Sequence, residues 1–270
     1  MKNGFYIIDS HCHIYPEKIA DRAVHGTDTF YGEKSLYSGT ANDLLTRGRK
    51  SGIDRFIVQS VATSPKQVGS INRFIADEVK KSNGVFLGLG TLHPDSEDIK
   101  SDIENLIALG LKGVKLHPDI QQFKIDDYRC LKIYELCEEY GLKILMHTGD
   151  YRFDFSNPNR MEPILEIYKN LTFIGAHFGG WSVWEDAVKQ LSHFDNFYVD
   201  CSSTFPFESM IDKQTIQKLV DTFTPEKILF GTDYPMWSAD EELENFFELK
   251  LTDDERRLIL SENAKKLFNM

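Results

Sequence analysis

The chain opens with FYIIDSHCH, residues 5–13, an apolar run that ends in an aspartate and two histidines. Side chains alternate between the two faces of a strand, so His11 and His13 point the same way and Cys12 points the other way. Two imidazoles at one strand end are suitable ligands for zinc, manganese or iron. Two surface histidines beyond a buried strand would give the same pattern, so the decision depends on the rest of the chain.

Seven more short apolar stretches follow, and segments with helical spacing and helix caps separate them. These stretches cover residues 55–59, 85–91, 113–117, 142–147, 172–177, 197–200 and 227–233. Eight strand–helix units in 270 residues predict an α/β fold, a closed (β/α)8 TIM barrel that forms a single domain over residues 1–270. A doubly wound sheet would more often carry a glycine-rich phosphate loop after the first strand, where this chain has His-Cys-His.

The longest insertion lies between the first two strands. Its first part, residues 15–37, is polar and aromatic and is interpreted as a long loop, whereas residues 40–51 are expected to form a helix. Because this segment follows the two histidines directly, we expect it to fold over them as a lid.

Composition excludes several classes of protein. Hydrophobic residues make up 41% of the chain and charged residues 27%, as in ordinary globular proteins, and the net charge of −11 argues against a nucleic-acid surface. No apolar run approaches the ~20 residues that span a membrane, and no signal peptide is evident, so the chain is expected to be cytoplasmic. None of the four cysteines forms a Cys-x-x-Cys pair, so neither a disulfide nor a cysteine metal site is expected.

The histidines collect where a barrel enzyme has its active site. TIM barrels place this site at the carboxyl ends of their strands. Five of the eight histidines fall at or just past such ends, namely His11, His13, His117, His147 and His177. The last strand ends in Asp233. This concentration predicts a metal-dependent enzyme.

Strand order predicts which of these residues bind the metal. His11, His13, His147 and Asp233 come from strands one, five and eight, and strand eight neighbours strand one in a closed barrel. Three imidazoles and one carboxylate suit one divalent ion, with zinc as the default and manganese or iron as alternatives. A hydrogen-bonded strand end for His147 and a helix cap for Asp233 are the competing interpretations.

The other polar residues at these ends are assigned to substrate and catalysis. We expect His177 to move protons or polarise the substrate, with a fifth metal position as its alternative. His117 and Arg152 are expected to contact the substrate, and Arg152 is expected to bind a carboxylate group of that substrate. A surface position of Arg152 without contact to substrate is equally compatible with the sequence. Lys115 is interpreted as a buried lysine paired with an acid, and less favourably as a carboxylated lysine between two metals.

Five motifs together resemble the amidohydrolase superfamily, and more narrowly the amidohydrolase-related branch that includes aminocarboxymuconate semialdehyde decarboxylase. They are DSHCH at 9–13, GVKLHP at 113–118, MHTG at 146–149, AHFGG at 176–180 and FGTDYP at 230–235. The resemblance implies a distorted (β/α)8 barrel with one divalent metal held as above. It also implies that His177 assists the water or the substrate, and that Asp233 is both a ligand and a proton acceptor.

Two kinds of reaction fit these residues. The first is metal-dependent hydrolysis of a small ester, lactone or amide, and the alternative is metal-dependent, non-oxidative decarboxylation of an aromatic or unsaturated carboxylic acid. A barrel that binds a ligand without chemistry is a third class. The expected partner is a small molecule, most simply one that bears a carboxylate, without nucleic acid or membrane. The acidic surface and two C-terminal helices are compatible with a homodimer.

Overall fold

Parallel strands form the centre of the molecule. The computed structural model describes residues 1–207 and 211–270. Its strands are β1 (Ile8–His13), β2 (Arg55–Gln59), β3 (Phe86–Gly88), β4 (Gly90–Thr91), β5 (Gly113–Leu116), β6 (Lys143–Met146), β7 (Phe173–Gly175), β8 (Phe197–Asp200) and β9 (Ile228–Leu229). All paired strands are parallel, and they run in sequence order as β1–β2–β3 and β4 through β9.

Backbone hydrogen bonds close the sheet into a distorted barrel. The third predicted strand is split at Leu89, whose N–H still donates to the carbonyl of Val58 on β2 at 2.9 Å. At the other junction, Ser10 N donates to Phe230 O at 2.9 Å and His13 N donates to Tyr234 O at 2.7 Å. The fold class expected from the sequence is therefore confirmed, and β1 lies beside the last strand as the metal prediction requires.

Helices follow the strands and cover the barrel. They are α1 (Glu17–Tyr31), α2 (Ala41–Ser51), α3 (Val68–Lys81), α4 (Ile99–Ala108), α5 (Pro118–Gln121), α6 (Tyr128–Glu139), α7 (Pro158–Ile167), α8 (Trp184–Leu191), α9 (Lys213–Phe223), α10 (Ala239–Glu248), α11 (Asp253–Arg257) and α12 (Asn263–Phe268). Within the described ranges, no helix has both the length and the apolar character needed to cross a membrane.

The apolar core has two parts because strand side chains alternate between the barrel interior and the helix layer. One cluster, which includes Ile8, Ile57, Leu145 and Ile174, fills the interior, and α12 packs against it. The larger cluster lies between the strands and the surrounding helices. This filled interior directs polar side chains to the strand ends, where the site forms.

The segment expected to be a long loop after β1 is a helix instead. α1 spans 15 residues, buries Ala20 and Val24, and is followed by Gly32, which caps it in the left-handed conformation with φ 73°. The apolar residues recur at three- and four-residue spacing, which is the helical period, but the polar residues and Gly26 between them obscured it. The predicted helix over 40–51 is confirmed as α2, with Thr40 as its cap.

A buried carboxyl group lies within the first turn of α10. Glu242 is 1% exposed, and neither of its oxygens has a hydrogen-bond partner among the described residues. Burial raises the pKa of Glu242 well above its usual value, and the neighbouring Asp9, Asp233 and Asp200 raise it further. The side chain is therefore protonated in the folded protein at pH values where the unfolded chain has ionised it.

We expect Glu242→Gln to remove a loss of stability that the wild type shows as the pH rises. The pKa of Glu242 in the folded protein lies above its value of about 4.3 in the unfolded chain. The free energy of unfolding is therefore greatest below about pH 4.3, and above that pH it falls by up to ~1.4 kcal/mol per pH unit. Urea unfolding of both proteins between pH 4 and 8 measures the difference. The exposed Glu244→Gln is the control, and parallel curves for the wild type and Glu242→Gln would contradict the assignment.

Candidate metal centre and active site

Three predicted metal ligands meet between the first and last strands. His11 Nε2 lies 3.2 Å from His13 Nε2 and 3.3 Å from Asp233 Oδ1, and His13 Nε2 lies 3.6 Å from the same oxygen. The period of β1 brings the two rings together, and the junction of β1 with the last strand brings Asp233 to them. Asp233 adopts a left-handed backbone conformation with φ 57°, which turns the chain sharply at this point.

A buried aspartate sets the tautomer of His11. His11 Nδ1 lies 2.9 Å from Asp200 Oδ2, and both side chains are fully buried. A carboxylate accepts, so Nδ1 donates and Nε2 keeps its lone pair directed at His13 and Asp233. Burial also lowers the pKa of His11 and of His13 well below the usual value, so both rings are neutral, as metal binding requires.

His147 lies at the same end of the barrel in a neighbouring cluster. Its ligand atom and those of Asp119 and Asp150 lie within 4.8 Å of one another. His147 Nε2 is 3.7 Å from Asp119 Oδ2, and it has no hydrogen-bond partner among the described residues although the ring is 2% exposed. The assignment of His147 as the fourth metal ligand thus stays a prediction, and the absence of a hydrogen-bond partner for its Nε2 among the described residues favours that assignment.

His177 stacks against the His11 ring, with the centroids 5.3 Å apart. His177 Nδ1 lies 3.0 Å from the carbonyl oxygen of Ser202 and therefore donates to it, which leaves the Nε2 lone pair available. Burial lowers the pKa of His177 to about 4, so the ring is neutral. His177 lines the same cavity as His11 and Asp233, where it can accept a proton or a hydrogen bond from substrate.

Lys115 is fully buried, as expected, but its nearest partner differs from the expectation. Its Nζ lies 3.0 Å from His11 Nε2 rather than against a carboxylate. Burial lowers the pKa of Lys115 to about 8, while Asp233 and Asp200 act in the opposite direction. The acid pairing predicted from the sequence is therefore a through-space interaction with these two carboxylates.

Helix α1 covers the site, as expected of the segment that follows the two histidines. Tyr31, its last residue, has its hydroxyl 2.7 Å from His117 Nε2 and its ring centroid 6.1 Å from that of His147. His117 Nδ1 accepts the backbone N–H of Ile120 at 3.3 Å, so Nε2 is the protonated nitrogen. His117 and Tyr31 both line the cavity, which is compatible with the substrate contact predicted for His117.

Arg152 is engaged with protein groups rather than directed at the cavity. Its Nε and Nη2 donate to the two carboxylate oxygens of Asp150 at 2.9 and 2.7 Å, and Nη1 donates to the carbonyl of Phe30 at 2.8 Å. The guanidinium also lies over the rings of Phe30 and Tyr31. These contacts assign Arg152 to holding the end of α1 against the barrel, and they weigh against the predicted grip on a substrate carboxylate.

The residues present fit a divalent cation. The ring nitrogens of neutral His11 and His13 and the Asp233 oxygen lie within 3.6 Å of one another, beside the Lys115 ammonium, and a divalent cation among them would be attracted by all three electron-rich atoms. The unpaired Nε2 of His147 lies close by on the lining of the same cavity. Imidazole and carboxylate ligands suit zinc, manganese or iron.

The structure adds three residues that the sequence did not single out. Asp200 orients His11, Asp119 lies against His147, and Tyr31 closes the site from above. Asp200 is the last residue of β8 and Asp119 lies three residues after β5, so their positions at strand ends could have identified both as candidate site residues. Tyr31 carried none because its segment was interpreted as a loop.

Most of these groups line one cavity of about 940 Å³, whereas Asp200 and Arg152 do not line it and contact residues of the site from behind. Its buried end carries the histidines, Lys115 and Asp233, and its walls include residues of α1 and α3. A cavity of this size lies at the upper end of the range for small-molecule sites.

Comparison with known proteins gives consistent results along the chain. A family model described as Amidohydrolase matches residues 8–270. The curated 2-amino-3-carboxymuconate-6-semialdehyde decarboxylase of Dictyostelium discoideum is 23% identical over 202 residues, which are 61% of this chain and 55% of that protein. The chain thus matches about half the length of this relative.

Solved structures show the same fold over almost the full length. An uncharacterized TIM-barrel protein from Bordetella bronchiseptica superposes with a TM-score of 0.81 at 21% identity, covering 98% of this chain and 99% of that one. The dihydroxybenzoic acid decarboxylase of Polaromonas sp. JS666, which was solved with bound manganese and 2-nitroresorcinol, gives a TM-score of 0.74 at 16% identity, with coverage of 98% and 97%.

Proposed function

The chain belongs to the amidohydrolase family, and from this membership and the arrangement of the site we propose that it is a metal-dependent, non-oxidative decarboxylase of an aromatic or unsaturated carboxylic acid. The observation that carries the proposal is the convergence of His11, His13 and Asp233 beside the unpaired His147 and the neutral His177. Hydrolysis of a small ester, lactone or amide, which the sequence put first, becomes the second candidate, because the curated relative is a decarboxylase.

The proposed metal ligands are His11, His13, His147 and Asp233. When bound, a divalent ion would hold the substrate and stabilise negative charge on its oxygens. Manganese is as good a candidate as zinc, since a structural relative binds manganese and the ligands suit either ion.

Asp233 is the proposed proton donor to the reacting carbon. Burial raises the pKa of Asp233 to about 7 in the metal-free protein, and its Oδ1 faces the histidines while its Oδ2 accepts a hydrogen bond from Ser203 Oγ at 2.7 Å, so its carboxyl group is placed to carry a proton to a substrate in the cavity. Transfer of this proton forms a C–H bond, the C–C bond to the carboxylate breaks, and the electron pair of that bond restores the ring or alkene as carbon dioxide leaves. The Asp233 carboxylate then takes a proton from solvent.

His177 and the lid have supporting roles in this proposal. The Nε2 lone pair of His177 accepts a hydrogen bond from a substrate hydroxyl or from the protonated carboxyl, while Ser202 fixes the ring. Tyr31 and the rest of α1 exclude water from the buried end of the cavity. Exclusion of water favours release of carbon dioxide over hydrolysis.

A substrate panel tests the proposed reaction. The purified protein is loaded with manganese or zinc and incubated with hydroxybenzoates and unsaturated acids, and in parallel with simple esters, lactones and amides. We expect carbon dioxide release from at least one acid, abolished by exhaustive chelation and restored by metal. Turnover confined to the esters, lactones or amides would reverse the order of the two candidates, and full activity after chelation would exclude both.

A further inference from the structure

The cavity has two ends of different chemistry. At its buried end lie the imidazoles and Asp233, and at its solvent end lie four exposed charged side chains, Lys18, Arg22, Arg73 and Asp77. Lys18 and Arg22 come from α1, and Arg73 and Asp77 come from α3. Three cations and one acid give this end a net charge of +2 in a chain whose net charge is −11.

The two arginines at the solvent end have no ion-pair partner among the described residues. In the described ranges, 1–207 and 211–270, no carboxylate lies within salt-bridge distance of Arg22 or Arg73 and neither guanidinium makes a hydrogen bond. By contrast, Arg129, Arg152 and Arg160 are each paired with an aspartate. Guanidinium groups left available beside a cavity are suited to bind carboxylate or phosphoryl groups of a ligand.

The cavity also has an apolar part of its lining. Ile19 of α1 and Ile71 and Phe74 of α3 line it, on the same two helices that carry the charged side chains. A single-ring acid held at the buried end would fill only part of a cavity of about 940 Å³. The lining therefore fits an elongated ligand with a polar reacting end, an apolar body and a charged far end.

We propose that Arg22 and Arg73 form a distal anion subsite, so that the substrate is an elongated acid with a second anionic group, a carboxylate or a phosphoryl group, at the end remote from the reacting carbon. This inference rests on the proposed function for the identity of the buried end. Helix α1 then has two tasks, since it covers the reacting end with Tyr31 and selects the far end with Arg22.

Binding measured without turnover tests the subsite. Isothermal titration calorimetry on the manganese-loaded protein compares biphenyl-4,4′-dicarboxylate, its monoamide 4′-carbamoylbiphenyl-4-carboxylate, and the corresponding 4′-phosphonate. The shorter pair of benzene-1,4-dicarboxylate and its monoamide reports the length dependence. We expect the long dianions to bind about tenfold more tightly than the monoamide, a difference of about 1.4 kcal/mol that weakens with added salt. The stronger of the two dianions identifies the preferred anionic group.

Variants assign the effect to the two arginines. In the double variant Arg22→Gln/Arg73→Gln, the long dianion and the monoamide should bind about equally well. The control is Arg49→Gln, which should keep the preference for the dianion, because Arg49 is an exposed residue of α2 that does not line the cavity. Equal binding or no binding of dianion and monoamide in the wild type would overturn the proposal, as would a preference that survives in the double variant. Carbon dioxide release without dianion preference would refute the subsite alone, and dianion preference without any carbon dioxide release would refute the decarboxylase alone.

Discussion

His13→Ala is expected to lower metal content to less than a tenth of the wild-type value and to reduce carbon dioxide release about 10³-fold. His13 Nε2 is 3.2 Å from His11 Nε2 and 3.6 Å from Asp233 Oδ1, so its removal opens one side of the proposed coordination sphere. A metal supplies several kcal/mol of transition-state stabilisation, and about 4 kcal/mol corresponds to this loss in rate.

Among the proposed ligands, removal of His13 is expected to disturb the fold less than removal of His11. Its side chain is 13% exposed at the cavity, whereas that of His11 is fully buried and hydrogen-bonded to Asp200. The control is His25→Ala, which removes an exposed histidine of α1 that does not line the cavity. Metal content by inductively coupled plasma mass spectrometry, with the thermal unfolding midpoint and carbon dioxide release, measures the effect. Wild-type metal content in His13→Ala would show that the ion is bound elsewhere.

The barrel and the end at which the candidate site lies could be predicted because both depend on local patterns. Apolar stretches separated by helical segments gave the strand order, and the period of two placed His11 beside His13. Parallel strands all present their carboxyl ends at one side, so a polar residue at any strand end, such as Asp233, is brought toward the others without knowledge of distances.

The surroundings of these proposed ligands could not be predicted because they depend on side-chain contacts between segments far apart in sequence. Asp200 orients His11 across 189 residues, and the hydroxyl of Tyr31 meets His117 across 86. Arg152 is a second example, because its position could be predicted but its partner could not. It follows a strand as expected, but its Nε and Nη2 donate to Asp150 two residues earlier, and a single sequence does not indicate which acid an arginine will pair with.

Asp233→Asn is expected to separate metal binding from catalysis. The variant should fold normally and keep a measurable part of its metal while carbon dioxide release falls about 10³-fold, within the range that a general acid or base contributes. Asparagine has the shape of aspartate and tolerates the left-handed conformation that residue 233 adopts at φ 57°. Its amide oxygen and the three imidazoles still offer ligands, but the amide N–H is far too weak an acid to protonate carbon.

Metal content and carbon dioxide release, measured for both His13→Ala and Asp233→Asn, show whether Asp233 does more than bind the metal. His13→Ala should lose metal and activity together, whereas Asp233→Asn should lose activity out of proportion to metal, because Asp233 is proposed to be both a ligand and the proton donor. Asp240→Asn, an exposed aspartate that pairs with Lys2, is the control for the amide substitution. Activity within tenfold of the wild type in Asp233→Asn at equal metal content would assign proton transfer to another group, and His177, with its available Nε2, would be the next to test.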